Sequence, residues 1–223
     1  MKRFRIIGLS LLALLALGAF AASTASAVEG VLPLAKKGFT LLSQTAILET
    51  TSGSAIECTE LKGSGKFTSD IEGTATFDFL GCSIANFPAF SLGDTIPTEI
   101  KTALILIPIT FQICLIHSAE LQFGIFVKLN ESVHVDALAL GDLVVLSGAV
   151  IGELPTKSGT LGELKFRGTK GKQEVAGKCI DEKGGEKVTD LKASINGGVV
   201  QSISLTLKSG LIQFEELQEL MDK

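Results

Sequence analysis

The chain has 223 residues, a formal net charge of −4 and 46% hydrophobic residues, a balance that excludes intrinsic disorder and suits one domain of ordinary size. Its 24 Gly and 5 Pro follow no Gly-x-y period, which excludes collagen. Trp and Tyr are absent and 13 Phe supply all the aromatic side chains, which argues against the amphipathic aromatic platforms that bind many sugars and single-stranded nucleic acids.

Lys2, Arg3 and Arg5 precede an uncharged run from Ile6 to Ala22, and Ala25-Ser26-Ala27 stands before Val28. A basic start, an apolar stretch and a small-x-small site are the layout of a secretory signal peptide cleaved between Ala27 and Val28. The competing reading is an N-terminal anchor. The apolar run is shorter than the roughly 20 residues of a spanning helix, and small residues follow it at once. The expected organisation is a cleaved signal peptide at 1–27 and a single β-rich domain at 28–223, secreted, with no stable membrane insertion after cleavage. No Cys lies near the cleavage site to carry a lipid, and the terminal QFEELQELMDK offers no hydrophobic tail. Residues 28–223 carry a net charge of −7 and a single arginine, Arg167, so nucleic acid is not an expected partner.

Beyond Val28 the chain reads as strands punctuated by glycine, with turns expected at 51–54 (TSGS), 62–65 (KGSG), 71–74 (IEGT), 183–186 (KGGE) and 195–198 (INGG). Ala75, Phe77 and Phe79 alternate with Thr74, Thr76 and Asp78. Pro88 and Pro97 bracket a loop. Every odd position from Ala103 to Leu115 is apolar, with Pro108, Thr110, Gln112 and Cys114 on the other face. Thr102 to Ala119 is free of charge and long enough to imitate a membrane helix, but Pro108, the β-branched residues and the period of two favour a strand. Leu121 to Leu129, Leu191 to Ile195 and Ile203 to Leu207 alternate in the same way, and Asn196-Gly197 between the last two is a hairpin signal. The pattern predicts an all-β fold, an antiparallel sandwich or barrel of about eleven or twelve strands. Phe214, Leu217 and Met221 fall at helical spacing, so the tail admits a short C-terminal helix or a last strand at 210–215.

Cys58, Cys82, Cys114 and Cys179 are even in number and form no C-x-x-C. In an exported chain they are expected to form disulfides rather than a zinc site. Four cysteines allow three pairings. A three-strand meander from SAIEC through the Gly63–Gly65 and Gly73 turns to TATFDFLGC would bring Cys58 to Cys82, leaving Cys114 for Cys179.

The run LETTSGSAIECTELKGSGKFTSDIEGTATFDFLGC (48–82), with ICLIH, VVLSGAVIGEL, KQEVAGKC and the terminal QELMDK, resembles secreted proteins of soil actinobacteria in which an IECT stretch, a GxG turn and an FxGC strand end follow a signal peptide. The resemblance covers most of the chain beyond Val28. It implies a bacterial secreted protein with disulfides and carries no activity with it.

Few residues suggest chemistry. His117 ends one alternating run, and His134 shares a strand face with Ser132 and Asp136. Either could serve as a base or metal ligand, but neither has a short-range His or Glu partner at ligand spacing. A strand-end and a surface histidine explain both as well. No G-x-S-x-G occurs beyond Val28, and Lys157-Ser158-Gly159 and Lys208-Ser209-Gly210 lack the S-x-x-K that penicillin-recognising enzymes require. No catalytic residue, cofactor or metal is assigned. The first functional expectation is a non-enzymatic structural or binding domain of the cell exterior with a cell-envelope partner. The alternative is an exported hydrolase or metal-dependent enzyme using His117 or His134. A weaker one, resting on the apolar excess, is a lipid or apolar-ligand carrier. N-terminal sequencing of the exported protein is expected to begin at Val28; recovery only in detergent-extracted membrane with Met1 retained would contradict the signal peptide.

Overall fold

Strict alternation of apolar and polar side chains can bury one face of a strand only if strands pair in a sheet. The computed structural model describes residues 37–218 except 93–96, 98, 118–121, 138–141, 156–158, 176–177 and 181–183, and leaves the side chains of 117, 142, 159–160 and 216–218 outside that description. No α-helix occurs among the described residues. β1 (Gly38–Ser43) and β2 (Thr45–Thr50) are separated by one residue, and β3 (Ala55–Phe67) and β4 (Glu72–Ile84) form a long hairpin. β5 (Phe87–Pro88), β6 (Phe90–Ser91) and a 3-10 turn at Ile100–Thr102 lead into β7 (Leu104–His117). β8 (Gln122–Leu129), β9 (Val133–Ala137), β10 (Asp142–Ser147), β11 (Ala149–Glu153) and β12 (Gly159–Glu163) follow. Four short pieces come next: β13 (Gly168–Thr169), β14 (Lys172–Gln173), β15 (Cys179–Ile180) and β16 (Glu186–Lys187). β17 (Lys192–Ile195), β18 (Gln201–Lys208) and β19 (Leu211–Gln218) complete the order. The tail is therefore a strand where a short helix was one expectation: Ile212 and Phe214 are buried, and β19 is paired on both sides, by β1 and β12.

The described pairings are all antiparallel, and the sheet curls into a half-barrel. One wall runs β12–β19–β1–β3–β4–β7–β8–β11. A second arm leaves β3 through β2, β18, β17, β10 and β9 to β6. The edge of β11 away from β8 meets the chain beyond β12 at a bridge, where Glu153 and Lys165 exchange backbone hydrogen bonds of 2.9 and 3.0 Å. Arg167 pairs with Glu153 at 3.0 Å beside this seam.

One feature shapes the whole sheet. Four neighbouring strands each carry one extra residue at the same level. The buried positions are Phe39, Leu41 and Ser43 in β1 but Ala46, Leu48 and Thr50 in β2. In β3 they pass from Ile56 and Cys58 to Leu61, Gly63 and Phe67, and in β4 from Phe77 and Phe79 to Cys82. In β18 and β19 they pass from Leu205 and Leu207 to Ile212 and Phe214. Buried parity flips at Gln44, at Thr59–Glu60, at Leu80–Gly81 and at Ser209–Gly210. Registers nevertheless continue unbroken across the line: Ser43 opposes Leu61 and Ala46 opposes Cys58, while Leu42 opposes Leu211 and Thr45 opposes Lys208. Extra residues that oppose one another in this way, the paired bulges of these strands, change the buried face without a slip in register and let strands pass from one layer to another. Gly81 at φ 62° and Ser209 at φ 57° take the left-handed conformation there. The Ser43 hydroxyl lies 2.8 Å from the Lys208 carbonyl, to which it donates.

Below the line, Phe39, Phe67 and Phe111 from β1, β3 and β7 meet edge to face, with ring centroids 5.0–6.0 Å apart. Above it, Leu48, Ile56 and Ile203 face Val144 and Leu146 of β10 and Ala193 of β17. Two apolar cavities of about 20 and 30 Å3 lie between these layers among the described residues. Buried Gln173 acts as a strand partner: its amide nitrogen donates to the Leu205 carbonyl at 2.9 Å and its oxygen accepts from the Leu205 N–H at 3.0 Å.

Gly63-Ser64-Gly65 is not a turn. It lies inside β3, paired with β1 on one side and β4 on the other. A Cβ on Gly65 would stand 2.6 Å from the Ala75 Cβ and 2.7 Å from the Phe39 ring, so the glycine gives the ring its space. Asn196 and Gly197 do form the expected turn, at φ 51° and 68°. Gly65→Val is expected to lower stability by about 1–3 kcal/mol through overpacking, while the neighbouring exposed Ser64→Val stays within about 0.5 kcal/mol; denaturant midpoints of the two variants check this.

Candidate functional site

The cysteines pair as expected, Cys58 with Cys82 and Cys114 with Cys179. The route of the first pair is shorter than a meander. β3 and β4 are directly hydrogen-bonded neighbours and Cys58 stands opposite Cys82, with Cα atoms 4.0 Å apart. The bond sits one residue from the line of bulges and joins two of the strands that bend there. The second links β7 to β15 with Cα atoms 5.4 Å apart. By loop entropy alone, sequence separations of 24 and 65 correspond to about 3.5 and 4.4 kcal/mol. All four cysteines are buried. Two disulfides in one chain are the mark of proteins made for an oxidising, extracytoplasmic compartment.

The histidines are not brought together on one strand or one strand pair. His134 is exposed on β9, between buried Val133 and Val135, opposite Val145 of β10. His117 is the last residue of β7, paired with Gln122 of β8, and its side chain lies outside the described residues. Groups of three or more His, Cys, Asp or Glu with metal-holding geometry are absent among the described residues. The Ala27–Val28 cleavage site also lies outside them. No described helix is long and apolar enough to cross a membrane, and the uncharged stretch from 102 to 119 contains the strand β7.

The line of bulges leaves a groove of about 470 Å3 on the outside of the sheet, lined by Leu42, Ser43, Gln44, Thr59, Glu60, Ser209 and Leu211. Leu42 and Leu211 are about half exposed there and stand opposite each other. Asn130, Glu131 and Ser132, which spell a glycosylation sequon, occupy the exposed turn between β8 and β9. Sequence reasoning missed the polar contacts outside β7. Gln112 is buried and accepts a hydrogen bond from Lys187, whose ammonium lies 5.4 Å from the Phe126 ring centroid. A polar residue inside the charge-free stretch was the available signal. No family model matches this chain, and neither curated proteins nor solved structures provide a match.

Proposed function

We propose that residues 28–223 form a secreted, non-enzymatic β-rich domain that works by binding or as a structural element at the cell exterior, with a partner in the cell envelope. The observation that carries this reading is the disulfide-bonded sheet with a side-chain-filled interior. Both disulfides tie strands of the wall to their neighbours, and among the described residues apolar side chains from both layers pack around two cavities of about 20 and 30 Å3. A space of that size takes a water molecule or two at most, far less than the few hundred Å3 of a typical small-molecule site. What such a scaffold offers to a partner is its outer surface: loops, turns and the polar faces of strands.

The test pairs a binding measurement with a search for turnover. Purified disulfide-bonded protein and its His117→Ala/His134→Ala variant are titrated onto a washed cell-envelope fraction and assayed on ester, peptide and glycoside substrates. Saturable retention, equal for both proteins, is expected, with no turnover above buffer. Turnover that disappears in the double variant while circular dichroism and melting stay unchanged would overturn the reading in favour of an exported hydrolase.

A further inference from the structure

Three leucines stand exposed on neighbouring strands of the outer face, beside the line of bulges. Leu42 of β1 and Leu211 of β19 oppose each other at 50 and 45% exposure. Leu161 of β12, at 61% the most exposed leucine among the described residues, opposes Gln213 of β19. Gln213 lies two residues beyond Leu211 with buried Ile212 between them, so Leu161 is on the same face, one diagonal step from Leu211. Residues in that relation are roughly 7–8 Å apart.

Leu42 and Leu211 line the groove of about 470 Å3, and Leu161 stands outside it. The chain itself engages several of the groove's polar groups. The Ser43 hydroxyl donates to the Lys208 carbonyl and the Thr59 hydroxyl to the Leu80 carbonyl, at 2.8 and 3.2 Å. The Glu60 carboxylate lies 3.2 Å from the Lys62 ammonium. The two leucines are what the groove chiefly offers a guest, and an aliphatic side chain suits them.

The same face carries such a side chain. A two-fold axis lying in the plane of contact, between Leu161 and the groove, places Leu161 of each copy in the groove of the other, so one knob and one hole make two contacts. The charges beside the patch do not oppose this approach. Glu60 is closed with Lys62, and Glu163, which stands opposite Leu211, lies 3.3 Å from Lys165. Residues 28–223 carry −7 overall, so two copies repel at long range, and a face whose charges cancel in pairs is where they can meet. We propose that this face joins two copies of the chain in an isologous dimer, with Leu161 of one copy seated between Leu42 and Leu211 of the other.

Sedimentation velocity of the full exported protein between roughly 1 and 100 μM, a range that reveals weak specific contacts, tests this. Wild type is expected to pass from monomer to dimer as its concentration rises. Leu161→Asp and Leu42→Lys should each weaken the dimer at least about tenfold, as the loss of a central apolar anchor does, with melting little changed because both positions are exposed. An equimolar mixture of the two variants should regain the dimer: one contact then sets Asp against Lys, and the other keeps Leu161 on Leu42. Val199→Asp, at an exposed valine between β17 and β18, should dimerise like wild type. Where a charged variant melts early, Leu161→Ser or Leu42→Ser takes its place with the same expected loss. Undiminished dimer in Leu161→Asp would overturn the proposal, as would a mixture no stronger than its parts. A monomeric wild type would overturn it too, and loss of envelope retention in Leu42→Lys would then assign the groove to a different protein.

Discussion

Side-chain alternation in a sheet has a phase, and neighbouring strands must change phase together or not at all. A strand with one extra residue that its neighbours lack falls out of register and turns its apolar face to solvent. Here β1/β2, β3, β4 and β18/β19 each carry the extra residue at the same level, and their pairings run through it unshifted. The phase change lets one set of strands build two packing layers. Below the line it closes on β7 and β8 around the phenylalanines, and above it on β10 and β17. The Cys58–Cys82 bond pins two of the four strands beside the bend.

The same constraint explains the character of the surface. The interior is filled by residues such as Ile105, Ile109, Leu61 and Phe166, all nearly free of solvent contact. The outside has two distinctive places. One is the groove that the bulges open between Leu42, Leu211 and Glu60. The other is the apolar cluster on the outer side of β7 and β11, where Cys114, Ile116 and Ile151 are buried against Val175 and Cys179 because strands with two buried faces need a cover.

Much of this was legible in the sequence. Alternation located β7, β8 and β18, and Asn196-Gly197 marked a turn. Joining β1 to β2 and β18 to β19 leaves eleven strands of four residues or more among the described residues, within the expected number. Glycine was the ambiguous letter. Gly197 marks a positive φ, whereas Gly65 marks the close approach of Phe39, and the two look alike in a string of residues. The tail misled because Phe214 and Leu217 fit a helical period locally, while the partners that make β19 a strand, β1 and β12, lie far away in sequence. Gln112 and Ile116 could not be read as buried, since their cover begins some sixty residues later. The line of bulges was hidden for a further reason: Gln44, Thr59 and Glu60 are ordinary residues, and only their coincidence across four strands has meaning.

The two packing layers depend on that coincidence, and deleting Gln44 tests it most directly. Gln44 is exposed, so Gln44→Ala should stay within about 0.5 kcal/mol of wild type. Deleting it forces either Phe39 and Leu41 or Ala46 and Leu48 onto the wrong face, and the predicted loss in a denaturant titration exceeds roughly 3 kcal/mol. A deletion variant as stable as Gln44→Ala would show that the strands need no common phase change.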